Sequence, residues 1–119
     1  MDIEELKKIT IYNNFTESHP AAKRFWRVLE TFNQEQLSAY LIYVYGRSRL
    51  GHNLTDTHKL SYCKTLKGIP ESHTCFFELD LGEYPSDEDL NRKLLYGIEN
   101  CKEIAETSGT YNLSADFAL

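Results

Sequence analysis

The eleven residues ESHTCFFELDL, Glu71 to Leu81, set Cys75 two places after His73, with hydroxyls at Ser72 and Thr74. A thiolate is both a nucleophile and a metal ligand, and a nearby imidazole can lower a thiol's pKa or orient it. Strand periodicity argues the other way. Alternation puts Cys75, Phe77, Leu79 and Leu81 on one face and Phe76, Glu78 and Asp80 on the other, which makes Cys75 an inward, inert core thiol. His73 and Cys75 share a face only if both lie within the strand; otherwise His73 is a loop residue bonded to nearby backbone. His52, His58, Cys63, His73 and Cys75 could also supply metal ligands. Their gaps are irregular, with no C-x-x-C or H-x-x-x-H among them, so no metal is expected. Cys101 reads as core. Cys63 ends a short strand without an evident acid or base partner. On the residues alone Cys75 stays open between core packing and catalysis.

The elements that must position this segment are legible in outline. A first helix is expected from Ser18, with Ser18 as its cap and Pro20 in its first turn. Ala22, Phe25, Trp26, Leu29 and Phe32 form its apolar stripe. Asn33 with Gln36 reads as a capping box opening a second helix striped by Leu37, Tyr40, Leu41, Val44 and Tyr45, and Gly46 reads as its stop. GRSRLGHNLTDTH is loop by composition, KLSYC a short strand, and KTLKGIPES a turn. Ser86 caps a last helix whose first turn carries Asp87, Glu88 and Asp89, and whose stripe is Leu90, Leu94, Ile98 and Cys101, with Gly97 beside it. The stripe fades after Ile104. Helices, a long loop, a few short strands and a helix make a small α/β (α+β) domain.

Composition bounds the function. The 119 residues suit one domain or a piece of a larger protein, at 41% hydrophobic and 26% charged. A net charge of −5 speaks against neutralising nucleic-acid phosphates. No apolar run is long enough to span a bilayer, and MDIEELKKI lacks signal-peptide character. Three cysteines are an odd, scattered set, which favours a reducing compartment, the cytoplasm or the nucleus. The N-x-Ser/Thr triplets at Asn14, Asn53 and Asn112 are then chance matches.

Taken in order, the segments resemble the C-terminal lobe of HECT-type ubiquitin ligases over residues 12 to 104. SHPAAKRFWRVLETF is similar to that family's helix with a Phe-Trp pair. EQLSAYLIYVYGRSRL is similar to the helix that follows. IPESHTCFFELDLGEYPSDEDLNRKLLYGIENC is similar to the catalytic segment with its His-Thr-Cys-Phe core. YVYGRSRL and PESHTCFFELDL are closest to the large HERC-like branch.

The resemblance implies a thioester enzyme. Cys75, matching the family's cysteine, accepts ubiquitin from a conjugating enzyme and passes it to a lysine of a protein substrate. His73 and Thr74 are expected to orient the turn and polarise the thioester, and Asp80 to steer the incoming lysine. The cysteine then belongs on an exposed turn, with the strand starting after it. Leu50 and Leu54 match by position the region that packs the donor ubiquitin. Phe117 matches loosely a phenylalanine of the family's tail, which usually lies one place further from the end. Residues 1–11 are expected as hinge or linker from a missing N-terminal lobe that recruits the conjugating enzyme, and residues 105–119 as a flexible C-terminal tail. Gly82 replaces a proline common in the family and is expected to affect only the turn. No cofactor, nucleic acid or membrane partner is expected, and the fragment is expected to be a monomer. The rival reading is a non-catalytic HECT-like module that binds ubiquitin or another protein around a structural Cys75.

Overall fold

The computed structural model describes residues 2–47, 50 and 57–108, with side chains through Cys101. Helix α2 spans Pro20–Glu30 and helix α3 spans Gln34–Tyr45. Their junction is held by a reciprocal cap. The Asn33 side chain accepts from the Gln36 amide at 2.8 Å, and the Gln36 side chain accepts from the Asn33 amide at 2.9 Å, satisfying two donors that a helix start otherwise leaves unpaired. Gly46 closes α3 in a left-handed conformation, φ 82°, with its N–H returning to the carbonyls of Leu41 and Ile42. The cap of α2 differs from expectation. His19, not Ser18, holds the place, its Nδ1 accepting from the Ala21 amide at 3.0 Å. Proline at the first helical position makes its immediate neighbour the cap.

Helix α4 spans Asp87–Ser108, and Ser86 Oγ accepts from the Asp89 amide at 3.1 Å. Its backbone runs past Ile104, where the apolar stripe fades but no glycine or proline intervenes before Gly109. Asp87 at its start takes two hydrogen bonds from Arg27, at 2.8 and 2.9 Å, and one from Arg24 at 3.3 Å. That fork fastens α4 to α2. The N-terminal lead-in is also folded onto the body. Helix α1 spans Ile3–Lys8 and strand β1 spans Thr10–Tyr12, with Leu6 fully buried and Lys7 5.5 Å over the Trp26 ring.

Strands β2 (His58–Tyr62), β3 (Glu71–His73) and β4 (Glu78–Leu81) complete a four-stranded sheet of order β1-β2-β4-β3. β1, β2 and β4 are parallel, and β3 is antiparallel to β4. Leu60, Phe77, Leu79 and Leu81 point inward, and Phe25, Leu29, Tyr40, Leu41, Val44, Leu90 and Leu94 fill the helical side of the same core. Each such buried leucine contributes about 1.5–3 kcal/mol by burial. The opposite face carries polar groups in register. Ile11, Lys59, Glu78 and His73 form one row across the strands, and Ser61, Asp80 and Glu71 form the next.

One histidine belongs to the core. His58 is fully buried. Thr10 Oγ1 donates to the Leu6 carbonyl at 2.6 Å, so toward His58 Nδ1, 2.8 Å away, it accepts. The proton therefore sits on Nδ1, and Nε2 accepts from the Tyr40 hydroxyl at 2.8 Å. With both ring nitrogens used and burial pushing its pKa down to about 3, His58 is a neutral structural residue rather than a metal ligand. Asn14 is also structural. Its amide donates to the Tyr62 carbonyl and accepts from the Tyr62 amide, each at 2.7 Å, extending the sheet by one side chain. Gly82 does more than shape a turn: a Cβ there would lie 1.9 Å from the Leu66 carbonyl oxygen, so two backbone segments meet where only glycine fits. No described helix is long and apolar enough to cross a membrane.

Candidate active site

Cys75 lies in the middle of a single 3-10 turn, Thr74–Phe76, between β3 and β4, and it is exposed. The alternation that would bury it does not extend this far. Phe77 follows the turn in the left-handed region, φ 52° and ψ 52°, its amide donating to the Thr74 carbonyl at 3.3 Å. That conformation is unusual for a bulky residue and costs about 1–3 kcal/mol. Packing holds it. The Phe77 ring stacks on Tyr45 with centroids 4.1 Å apart and lies 5.2 Å from His58. The reversal shifts the phase of the chain: Phe77, Leu79 and Leu81 go inward, while Cys75 and Phe76, the latter 63% exposed, stay in solvent.

The lead-in to the turn is pinned from three elements. Tyr43 of α3 donates its hydroxyl to the Pro70 carbonyl. Tyr84, after β4, donates to the Gly68 carbonyl at 2.8 Å, and Lys93 of α4 donates to the Lys67 carbonyl at 2.8 Å. Gly97 lets α4 approach this far, since a Cβ there would meet Ile69 Cγ2 at 2.7 Å and the Tyr43 hydroxyl at 2.8 Å.

His73 ends β3 and reaches diagonally across the open sheet face to Asp80, Nε2 to Oδ2 2.9 Å. The Asp80 hydrogen bond raises the His73 pKa above its ordinary value, and the charges of Asp80, Glu78 and Glu71 add to this against a smaller opposing effect of burial. The pair thus favours the protonated ring more than water does. Glu71, His73 and Asp80 bring donor atoms within 4.8 Å of one another, a grouping that the His73–Asp80 pair accounts for without an ion. Thr74 lines the recess beside Cys75.

Of the residues singled out by sequence, Cys75 and Thr74 line one recess at the turn, while His73 and Asp80 pair with each other further along the open sheet face. Leu50 is partly buried against the core. Leu54 and Phe117 lie outside the described residues. The other two cysteines separate cleanly from Cys75. Cys63 is exposed at the far end of β2, its sulfur 3.2 Å from the Thr65 hydroxyl, an interaction that lowers its pKa. Cys101 is half-buried, and burial raises its pKa. Sequence reasoning missed the surroundings of the turn: Lys59, Tyr45 and Ile11 line the Cys75 recess, and only the strand register brings them there.

An exposed thiol on a strained turn, preceded by a histidine that pairs with a carboxylate on the open sheet face, defines a small α/β domain with a presented cysteine. The model of the HECT-domain (ubiquitin-transferase) family matches residues 1–105, and the chain belongs to that family. Among its relatives are the E3 ubiquitin-protein ligase UPL1 of Arabidopsis thaliana, 31% identical over 87% of this chain and 3% of that protein, and HERC2 of Homo sapiens, 33% identical over 83% of this chain and 2% of that protein. The ligase ptr1 of Schizosaccharomyces pombe is 33% identical over 87% of this chain and 4% of its own length. The chain spans only a few per cent of the length of these relatives.

Proposed function

We propose that this chain is the catalytic C-terminal lobe of a HECT ubiquitin ligase, with Cys75 as the residue that carries ubiquitin as a thioester. The observation that carries the reading is the exposed position of Cys75 on the turn that directly follows His73, in a chain of the ubiquitin-transferase family. A thiolate attacks the thioester of the conjugating enzyme, forming a new C–S bond as the old one breaks. The acyl group stays activated until a lysine amine of a substrate displaces the Cys75 thiolate. In this scheme the protonated His73 and the Thr74 hydroxyl donate toward the carbonyl oxygen as charge builds on it. Asp80 holds His73 in that form and adds negative charge that attracts the acceptor ammonium.

The same reading gives Leu50 and Leu54 to the donor ubiquitin and Phe117 to the transfer step. It places a preceding lobe, which recruits the conjugating enzyme, on the approach formed by residues 1–11. The unpaired thiols, two of them exposed, suit a reducing compartment such as the cytoplasm.

The test supplies the two-lobed protein with activating enzyme, conjugating enzyme and ubiquitin and resolves the products on a non-reducing gel. The wild type is expected to form a thiol-sensitive ubiquitin adduct, as are Cys63→Ala and Cys101→Ala, while Cys75→Ala forms none. An adduct that survives Cys75→Ala would overturn the assignment, and no adduct in the wild type would favour the non-catalytic module.

A further inference from the structure

We infer that Lys59 is a built-in acceptor for the acyl group on Cys75, so that the chain modifies itself at Lys59; the inference rests on the thioester reading above. Lys59 and Cys75 line one open recess of about 380 Å³, together with Ile11, Thr74 and Phe76. Lys59 is the one lysine lining it among the described residues. The strand pairing fixes this proximity. The Lys59 amide donates to the Phe77 carbonyl at 2.9 Å, which ties the lysine backbone to a residue two places beyond the cysteine. His58 and Leu60 on either side are fully buried, so alternation turns the Lys59 side chain outward, onto the face that opens at the turn.

Among the described residues the ammonium has no ion-pair partner. Glu78 is the cross-strand neighbour of Lys59, but its carboxylate accepts from the Ser61 hydroxyl at 2.7 Å. Ser61 in turn accepts from the Asn13 amide at 3.2 Å. Lys7 and Lys93, by contrast, are held by Glu30 and Asp89.

The step balances without a further reagent. Lys59 releases one proton to solvent, and its nitrogen lone pair adds to the thioester carbonyl carbon. The C–S bond then breaks, its electron pair leaving on the Cys75 sulfur as the C–N bond is retained. A second proton is lost to solvent, and the product is an isopeptide-linked ubiquitin beside a free Cys75. Holding amine and thioester in one recess makes the reaction unimolecular and raises the effective concentration of the amine. The attached ubiquitin then occupies the recess through which Cys75 is loaded, so the modification limits the chain's own turnover when no external lysine is at hand.

The experiment uses the 119-residue chain in a Cys63→Ala background, loaded by exchange with ubiquitin carrying a small-molecule C-terminal thioester. Thiol-sensitive and thiol-resistant adducts are followed over time, and tryptic peptides are searched for diglycine remnants. The parent is expected to convert its thiol-sensitive adduct into a thiol-resistant one, with the remnant on Lys59 and a half-time independent of chain concentration. Lys59→Arg, which keeps the charge but removes the acceptor amine, is expected to load equally and to convert at least 5-fold more slowly. Cys75→Ala in the same background should give neither adduct. Normal loading with remnants only on other lysines, or equal conversion in Lys59→Arg, would overturn the inference and leave the thioester reading standing. No thiol-sensitive adduct in the parent would overturn both.

Discussion

The imidazole of His73 donates to a carboxylate on the open face of the sheet, whereas that of His58 lies sealed in the core between Thr10 and Tyr40. The first environment stabilises the charged ring and the second the neutral one. Asp80→Asn removes the negative charge and leaves His73 at most a neutral amide oxygen as acceptor, weakening what raises the His73 pKa. The titration midpoint of His73, followed by NMR, is therefore expected to fall in that variant toward the ordinary histidine range. A midpoint unchanged from wild type would mean that the 2.9 Å contact does not hold the proton. His73 as a candidate was legible from its place before Thr74 and Cys75. Its partner's geometry was not, because Asp80 reaches it through an antiparallel pairing that the turn creates. Cys75 shows the same limit in reverse. Period-two alternation predicts burial, but the left-handed Phe77 interrupts the strand, and local periodicity carries no sign of a single reversed φ.

At the scale of elements, features that depend on neighbours in sequence were readable and features that depend on distant pairing were not. The Asn33–Gln36 box and the Gly46 stop follow from residues within one turn of each other. Asn33→Ala is expected to lower stability by about 1 kcal/mol, measured by urea unfolding. Strands β1 and β3, at three residues each, are too short to show a period and exist because β2 and β4 supply partners. Glycine positions follow the same division. Gly82 and Gly97 look like turn and helix glycines in sequence, yet each is set by a contact with a remote segment. Gly97→Ala must displace Ile69 or the Tyr43 hydroxyl that holds Pro70. It is expected to cost about 1–3 kcal/mol and, under the proposed function, to slow thioester formation at Cys75, since the turn loses one of its three anchors. Gly82→Ala, facing a backbone oxygen rather than a side chain, should reach at least the upper end of that range in the same unfolding assay. Equal stabilities of Gly97→Ala and wild type would show that the helix can move without disturbing the anchor.

For the whole molecule, the buried polar network joins α1, β1, α3 and β2 at one point, so its protonation is a global event. The His58 pKa is depressed to about 3 in the folded chain against an ordinary value of about 6.5. Between those limits the unfolded chain binds a proton that the folded chain refuses, so stability rises with pH there and is lost as pH falls. The slope is about 1.4 kcal/mol per pH unit, which amounts to about 2 kcal/mol between pH 6.5 and pH 5. His73 contributes with the opposite sign. Its raised pKa adds stability below about pH 6.5, lost as pH climbs through the folded value, and solvent exposure keeps that contribution small. Asp87 and Asp89 have pKa values lowered by their Arg and Lys partners, so their contributions disappear only below the ordinary carboxylate range. Urea unfolding at pH 7 and at pH 5 therefore reads chiefly His58, with a small opposing contribution from His73. Wild type is expected to lose about 2 kcal/mol across that step. His58→Gln, which keeps a polar side chain but cannot take up the proton, should be less stable at pH 7 and nearly flat across the same interval. A variant that retained the full wild-type slope would place the acid sensitivity elsewhere in the molecule.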